Sequence, residues 1–296
     1  DFFTVALDYV LPIGEGIDNP GAVYKMRDGF AMDREAFGNG APFVTGRTTL
    51  GLTFFYQYQT VENWEESEPW NLAGSMPTWN DSGLRFILLH DNTDYDLNPS
   101  RGYSFEARYS NDFGWGDNLQ SWNSLDFKYS QYLNLETFSF TQQNVLALNF
   151  WTAYSPSWDT GHEYLPGIDA HRPPSWEGPR LGGFIRMRGY DNNRFSGKAA
   201  IYAAAEYRAI LDWNPFKTSE FLLDHVPFAV DWFQVVPFVE AGRVNDEYGF
   251  ELIKDLKYDA GISIRAMVEE LPLRLDIGAS DEGVNMWVMI QQPFAF

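Results

Sequence analysis

Strict alternation of apolar and polar residues runs through most of the chain, in segments of about ten residues. Over Tyr103–Tyr109 the odd positions are aromatic or aliphatic, and the even positions are polar or charged. Over Leu271–Ala279 the odd positions are again apolar, while the even ones include Arg274 and Asp276. Because successive side chains of a β-strand point to opposite faces, each segment has one apolar face and one polar face. The pattern predicts a β-sheet protein whose function depends on which face meets water.

Two architectures fit such a sheet: a soluble β-sandwich or lipocalin-like barrel buries the apolar face, whereas a membrane barrel turns it to lipid. The polar face carries many charges, which a small soluble barrel would bury at several kcal/mol each if they were unpaired. The segments also have the length of tilted membrane strands. We therefore predict an all-β fold, a transmembrane antiparallel β-barrel whose interior holds these charges. They are Asp8, Glu106, Arg108, Asp126, Lys128, Glu206, Arg208, Asp259, Arg265, Arg274 and Asp276.

We place about twelve strands in this barrel, all within a single domain of residues 1–296. The segment Ser155–Gly197 has no strand pattern. The predicted strands are Phe3–Leu11, Ala22–Arg27, Leu50–Tyr58, Leu84–Leu88, Tyr103–Tyr109, Leu125–Tyr129, Phe138–Trp151, Ala199–Leu211, Trp232–Gly242, Tyr258–Ala266, Leu271–Ser280 and Asn285–Phe296.

The connections between these strands are predicted to alternate between the two sides of the membrane. With an even number of strands, both termini and the short turns face the periplasm, and the long loops are extracellular. The predicted periplasmic turns are Asp91–Gly102, Leu133–Thr137 and Glu269–Glu270. The predicted extracellular loops are Glu62–Asp81, Asn111–Leu119 and Ser155–Gly197. Residues 28–46 and Asp212–Val230 break the rule, because both are long and would be periplasmic.

Composition narrows the possible functions. A net charge of -20 and a pI near 4.4 argue against a nucleic-acid partner, which needs a basic surface. The chain has no cysteine, and its four histidines are scattered without zinc spacing. Asp91, Asp94 and Asp96 do not follow the spacing of a calcium loop and fit a turn before Pro99. Without a phosphate loop or a nucleophile elbow, we expect no metal, no cofactor and no enzyme activity.

Four short elements follow one another in the chain. Asp91–Asp94 leads through Pro99–Gly102 into a strand, Gly182–Tyr190 lies in the segment without strand pattern, Glu206–Arg208 lies in a strand, and Phe238–Gly242 lies in another. In this order they resemble the outer membrane protein 85 superfamily, which includes insertases and two-partner secretion transporters. The resemblance implies an integral protein of the bacterial outer membrane, with a long loop folded into the barrel lumen.

The resemblance also implies site residues. The loop motif is Met187, Arg188, Gly189 and Tyr190, which is similar to the VRGF/Y motif of the family. The strand motif is Phe238, Glu240 and Gly242, which is similar to FxDxG with Glu in place of Asp. By this resemblance, Arg188 and Glu240 would fix the loop to the inner wall. Alternation supports the pairing because it points Glu240 inward, where a bidentate contact with arginine fixes geometry. Glu206, beside Arg208, is an alternative partner for Arg188.

The last strand contains a proline, Pro293, close to the final residue, Phe296. Proline cannot donate a ladder hydrogen bond, so it is confined to edge strands, bulges or strand ends. One interpretation is a strand-end proline at the periplasmic rim. The other is a weakened seam between the first and last strands, which the resembling family uses as a lateral gate.

Three functions remain open. The first is a factor that inserts or translocates unfolded outer-membrane or secreted proteins. The second is a plugged structural or anchoring barrel, either homodimeric or bound to a periplasmic partner, and the third is a small-solute pore. The resembling family carries periplasmic POTRA domains, and we expect none here because strand pattern begins at Phe3. Lipids of the outer membrane are the expected surroundings in each case.

Overall fold

The computed structural model describes residues 2–32, 40–60, 78–115, 121–159, 170–174 and 176–294. Their secondary structure is mainly β-strand, with a few short helices. The strands are β1 (Phe2–Val10), β2 (Met26–Arg27), β3 (Phe30–Ala31), β4 (Arg47–Thr60), β5 (Thr78–Asp91), β6 (Gly102–Asp112), β7 (Asn123–Leu135), β8 (Thr141–Tyr154), β9 (Arg180–Leu181), β10 (Phe195–Ser196), β11 (Ala199–Leu211), β12 (Val230–Asn245), β13 (Lys257–Val268), β14 (Leu271–Ala279) and β15 (Val284–Ile290). Two short helices, α1 (Pro215–Thr218) and α2 (Glu220–His225), connect β11 to β12. None of the helices in the described ranges is long and apolar enough to cross a membrane.

Eleven of these strands form one antiparallel sheet in the order β1-β4-β5-β6-β7-β8-β11-β12-β13-β14-β15. The predicted all-β barrel fold is confirmed, and the alternation has the predicted consequence. Exposed apolar residues such as Val239, Ile262 and Ile277 cover the outer face of the sheet. On the inner face, charged residues such as Glu240 and Arg265 are almost completely buried.

The second predicted strand, Ala22–Arg27, does not join the sheet. Met26–Arg27 instead pairs with Phe30–Ala31 as a separate hairpin. Gly29, whose φ of +78° favours glycine, lies in its turn. The pattern there is too short to distinguish a spanning strand from a local hairpin, so the sheet has eleven described strands rather than twelve.

This difference reverses the predicted direction of the first strand. We call the end of the sheet that carries the connections 92–101, 136–140, 212–229 and 269–270 the turn end, and the opposite end, with the connection 155–198, the loop end. Because neighbours are antiparallel, β1 starts at the loop end and β15 finishes at the turn end. The expectation that both termini share one side is therefore wrong. The predicted loop Glu62–Asp81 lies largely outside the described residues, and residues 116–119 of the predicted loop Asn111–Leu119 lie outside them as well.

The β2–β3 hairpin packs into the turn end of the interior. Trp232 points inward and donates a hydrogen bond from Nε1 to the carbonyl oxygen of Gly29 at 3.3 Å. Tyr24 meets Tyr95 edge to face, with 5.9 Å between ring centroids. Together with Met267, these aromatic side chains form an apolar cluster that covers the interior at this end.

Candidate functional site

The loop motif lies in a short segment that folds on itself between β9 and β10. Its backbone turns sharply, since Gly182 and Gly183 have φ values of +106° and +105° and Met187 has +58°. The amide of Gly183 donates to the carbonyl oxygen of Tyr190 at 3.1 Å, and the amide of Tyr190 donates to that of Met187 at 3.0 Å. Met187 is completely buried although its backbone is left-handed, so packing compensates for the strain there.

Arg188 projects from this segment onto Glu240 of β12. The backbone amide of Arg188 donates to Oε2 of Glu240 at 2.6 Å, and its Nε donates to Oε1 at 3.2 Å. The guanidinium also lies 3.6 Å from the ring centroid of Phe238, close enough for a cation–π contact. Both charged side chains are completely buried, so each depends on the other for compensation.

Glu206, the alternative partner, contacts the same guanidinium. Its Oε1 lies 2.9 Å from Nη2 of Arg188 and 2.8 Å from Nη2 of Arg265, and its Oε2 lies 2.9 Å from Nη2 of Arg208. A third carboxylate, Asp276, is 3.7 Å from Nη1 of Arg188. Strand alternation allows either Glu240 or Glu206 as the partner of Arg188, and both carboxylates lie beside its guanidinium.

The register of the sheet brings like charges opposite each other on the inner face. Glu240 pairs across the strands with Asp259, and Arg265 pairs with Arg274. Like charges directly opposite each other destabilise a sheet, so each needs a hydrogen-bond donor or a counter-ion nearby. The loop motif compensates both carboxylates of the first pair: Arg188 contacts Glu240, and the amide of Gly189 donates to Oδ2 of Asp259 at 3.0 Å.

Strand β15 and the turn between β14 and β15 hold the motif by hydrogen bonds. Trp287 Nε1 donates to the carbonyl oxygen of Arg188 at 2.9 Å, and Ser280 Oγ donates to that of Gly189 at 2.8 Å. The hydroxyl of Tyr190 donates to Oδ1 of Asp281 at 2.6 Å. That hydrogen bond, together with one from Lys257, lowers the pKa of the Asp281 carboxyl.

Two glycines of the wall allow the motif to approach so closely. A Cβ on Gly278 would lie 2.7 Å from the amide nitrogen of Gly189 and 2.9 Å from the carbonyl oxygen of Arg188. A Cβ on Gly242 would lie 2.8 Å from Cδ1 of Leu181. Gly242 of the predicted strand motif thus makes room for the segment that carries Arg188.

Pro293 lies outside the last strand of the sheet. β15 ends at Ile290, and Gln291 has a φ of +109°, so the chain leaves the sheet before Pro293. Pro293 is buried in a turn beyond the end of the strand, which is closer to the interpretation of a strand-end proline than to that of a proline within the seam. Phe296 lies outside the described residues.

The segment after β15 enters the interior of the sheet. Arg265 Nη1 donates to Oε1 of Gln292 at 2.5 Å. The guanidinium of Arg208 lies between two rings, 5.2 Å from the centroid of Phe294 and 5.3 Å from that of Tyr132. The predicted lumen residue Arg208 therefore contacts the end of the chain as well as Glu206.

Several residues that hold the motif were not singled out by sequence reasoning. Alternation places Asp259, Arg274 and Asp276 on the inner face, but it does not reveal that Asp259 receives the Gly189 amide or that Arg274 donates to the carbonyl oxygen of Phe184 at 2.7 Å. For Trp287, the sequence indicates only that its side chain points inward, because of its position in the alternation of the last strand. Such contacts depend on loop conformation, which strand periodicity does not encode.

The aspartates of the turn after β5 accept hydrogen bonds from residues of the same turn. Asp94 accepts hydrogen bonds from the amides of Ser100 at 2.8 Å and Arg101 at 3.2 Å. Asp91 accepts from the hydroxyl of Thr93 at 2.7 Å. Within the described residues, no three His, Asp or Glu side chains are grouped to hold a metal ion.

Comparison with known proteins places this arrangement in a family. Comparison with curated protein sequences gives no match. The fold is similar to the crystal structure of BamA from Haemophilus ducreyi lacking POTRA domains 1-3, with a TM-score of 0.51 and 15% sequence identity. That similarity covers 98% of this chain but 61% of the BamA chain, so the chain spans less than two thirds of its length. The model of the Omp85 superfamily domain matches residues 30–292. The chain belongs to the Omp85 superfamily.

Proposed function

We propose that the chain is a non-enzymatic factor of the bacterial outer membrane that assists the insertion or translocation of unfolded outer-membrane or secreted proteins. Membership of the Omp85 superfamily and the BamA-like fold support this function. The observation that carries it is the docking of residues 187–190, because hydrogen bonds with β12, β13 and β15 hold this one loop inside the barrel.

In this proposal, Arg188 and Glu240 form a lock between the lumen loop and β12. A buried ion pair is weak evidence for stability, but removing one partner costs about 3–5 kcal/mol because it leaves an uncompensated charge. The lock is therefore suited to fixing one loop position rather than to adding net stability.

An insertion assay tests this function. Liposomes containing the full chain are mixed with an unfolded outer-membrane protein, and its folding rate is compared with the rate in empty liposomes. We expect acceleration by the wild-type chain and by Arg194→Ala. Arg194 serves as the matched control because it lies in the same loop but forms an exposed pair with Glu282 at 2.6 Å. Equal rates with and without the wild-type chain would contradict an insertion function.

A plugged anchoring barrel is the second candidate, and the covered turn end favours it. The β2–β3 hairpin and the segment through Phe294 both occupy the interior at that end. If the chain is only an anchor, it should give no acceleration of folding and no conductance in planar bilayers. Association as a homodimer or with a periplasmic partner would then be its role, which sedimentation in detergent would measure.

A further inference from the structure

The long connection Asp212–Val230 departs from the expectation of short turns at the turn end, and its structure gives a reason. It contains α1 and α2, neither of which has two full turns, so neither is stable without packing. Three large aromatic side chains of this connection remain exposed: Trp213 at 64%, Phe221 at 67% and Phe228 at 45%. We call residues 212–229 the helical connection.

The helical connection turns toward the outer face of the sheet. The ring centroid of Trp213 lies 5.8 Å from that of Phe233, and the centroid of Phe216 lies 5.9 Å from it. Phe233 has the same parity as Val235 and Val239, which line the outer face of β12. Trp213 is therefore continuous with the apolar outer surface, and Phe228 extends it, because its ring stacks on that of Phe216 with 6.2 Å between centroids.

A neighbouring turn extends this apolar surface. The amide of Asp212 donates to the carbonyl oxygen of Phe140 at 3.0 Å, which joins the connection to the turn before β8. Phe138 and Phe140 stack with 5.6 Å between centroids and are 56% and 61% exposed. The aromatic surface thus spans the turn ends of β8, β11 and β12.

Polar contacts hold the other side of the connection. Asn214 accepts from the amide of Phe216 at 3.0 Å, and its side-chain amide donates to the carbonyl oxygen of Val230 at 2.8 Å. Lys217 Nζ lies 3.4 Å from Oδ1 of Asp28, in the hairpin that covers the interior. The connection is therefore amphipathic: Asn214 is buried against the start of β12, Lys217 and Glu220 are exposed polar residues, and the aromatic side continues the outer wall.

We propose that the helical connection is an interfacial anchor that lies in the plane of the membrane and inserts Trp213, Phe221 and Phe228 between the lipids of the leaflet at the turn end. Tryptophan and phenylalanine side chains are favoured at this depth, where an amphipathic helix buries its apolar face at the boundary of headgroups and acyl chains. The lipid surface that fits this anchor is uncharged, because Glu220 and Asp224 are exposed on α2 and their carboxylates would repel anionic headgroups. The anchor rests on the proposed function insofar as that function places the sheet in a membrane.

The absence of cysteine allows a direct test with single-cysteine variants carrying a fluorescent label. Phe221→Cys reports on the aromatic side of α2, and Glu220→Cys on its polar side. Ile264→Cys, on the exposed outer face of β13, reports on the membrane span. Each labelled chain is reconstituted in phosphatidylcholine liposomes whose acyl chains are brominated next to the glycerol, and quenching by the lipid is compared with quenching by aqueous iodide.

We expect the label at 221 to lose most of its fluorescence to the brominated lipid and little to iodide, and the label at 220 to show the opposite. Equal iodide quenching at 221 and 220, without lipid quenching at 221, would overturn the anchor. The label at 264 separates the two proposals. If no lipid quenches this label, whichever position of its acyl chains is brominated, the barrel is not in the bilayer and the proposed function fails. Quenching at 264 without quenching at 221 rejects the anchor alone.

Discussion

At the residue scale, the register of the sheet creates an electrostatic problem that the loop motif helps to solve. Glu240 lies opposite Asp259, and the cation of Arg188 and the amide of Gly189 meet one carboxylate each. Loop docking and strand register are therefore expected to stabilise each other. Glu240 has one methylene more than the aspartate of the FxDxG motif that it resembles. Both of its carboxylate oxygens still accept hydrogen bonds from Arg188.

Replacing Arg188 by alanine tests this dependence. The change leaves Glu206 and Glu240 buried with fewer cations, and we expect the free energy of unfolding to fall by about 3–5 kcal/mol. Urea unfolding of the chain in liposomes, followed by tryptophan fluorescence, would measure this loss. Arg194→Ala should change stability by no more than about 0.5 kcal/mol, since its ion pair is exposed. Equal stability of the two variants would mean that Arg188 is not required.

Gly278→Ala tests the close approach of the loop to the wall. Its Cβ would lie 2.7 Å from the Gly189 amide nitrogen, so the backbone of one of them must move, at a cost of about 1–3 kcal/mol. We expect faster protease cleavage within residues 180–196. Gly249→Ala is the matched control, because a Cβ there meets nothing within 4 Å. Unchanged cleavage in Gly278→Ala would contradict the tight docking of the motif.

At the scale of elements, the segment that follows β15 acts as an internal cap rather than as part of the seam. Phe294 is buried between Arg208 and the cluster that includes Tyr132, so Phe294→Ala should destabilise the chain by about 3–5 kcal/mol. Phe250→Ala, at an 85% exposed phenylalanine, should have almost no effect. Thermal unfolding measured by circular dichroism would compare them, and equal midpoints would show that the cap does not contribute.

The β2–β3 hairpin can be tested through its turn. A Cβ on Gly29 would lie 2.6 Å from Nε1 of Trp232, so Gly29→Ala should displace the hairpin from the interior. In a Met267→Cys background, whose side chain is buried under the hairpin, we expect faster reaction with a water-soluble maleimide. Gly21→Ala is the control, since its Cβ would make only ordinary contact with Val23. Equal labelling rates in the two variants would mean that the hairpin is not what shields position 267.

The strands could be predicted from the sequence because a sheet face has a period of two residues, and this period persists over the length of β6 and β14. The hairpin at Met26–Arg27 could not, because two-residue strands carry no period. Counting Ala22–Arg27 as a spanning strand reverses the predicted direction of β1, so an error in one short element propagates to the placement of the first strand.

At the scale of the whole molecule, a chain with a net charge of -20 encloses a balanced set of charges. The core of the site contains four arginines, at 188, 208, 265 and 274, and four carboxylates, at 206, 240, 259 and 276. The acidic excess therefore lies outside the site. Parity predicts which charges point inward, whereas their partners depend on contacts between distant strands and the loop, which the sequence does not specify.

The most direct test of the proposed function measures client folding rates across a double-mutant cycle of Arg188→Met and Glu240→Gln in liposomes. If the two residues act as one lock in an insertion factor, each single variant loses most of the acceleration and the double variant loses no more than either. Wild-type acceleration that survives in both single variants, or losses that add across the cycle, would contradict the account.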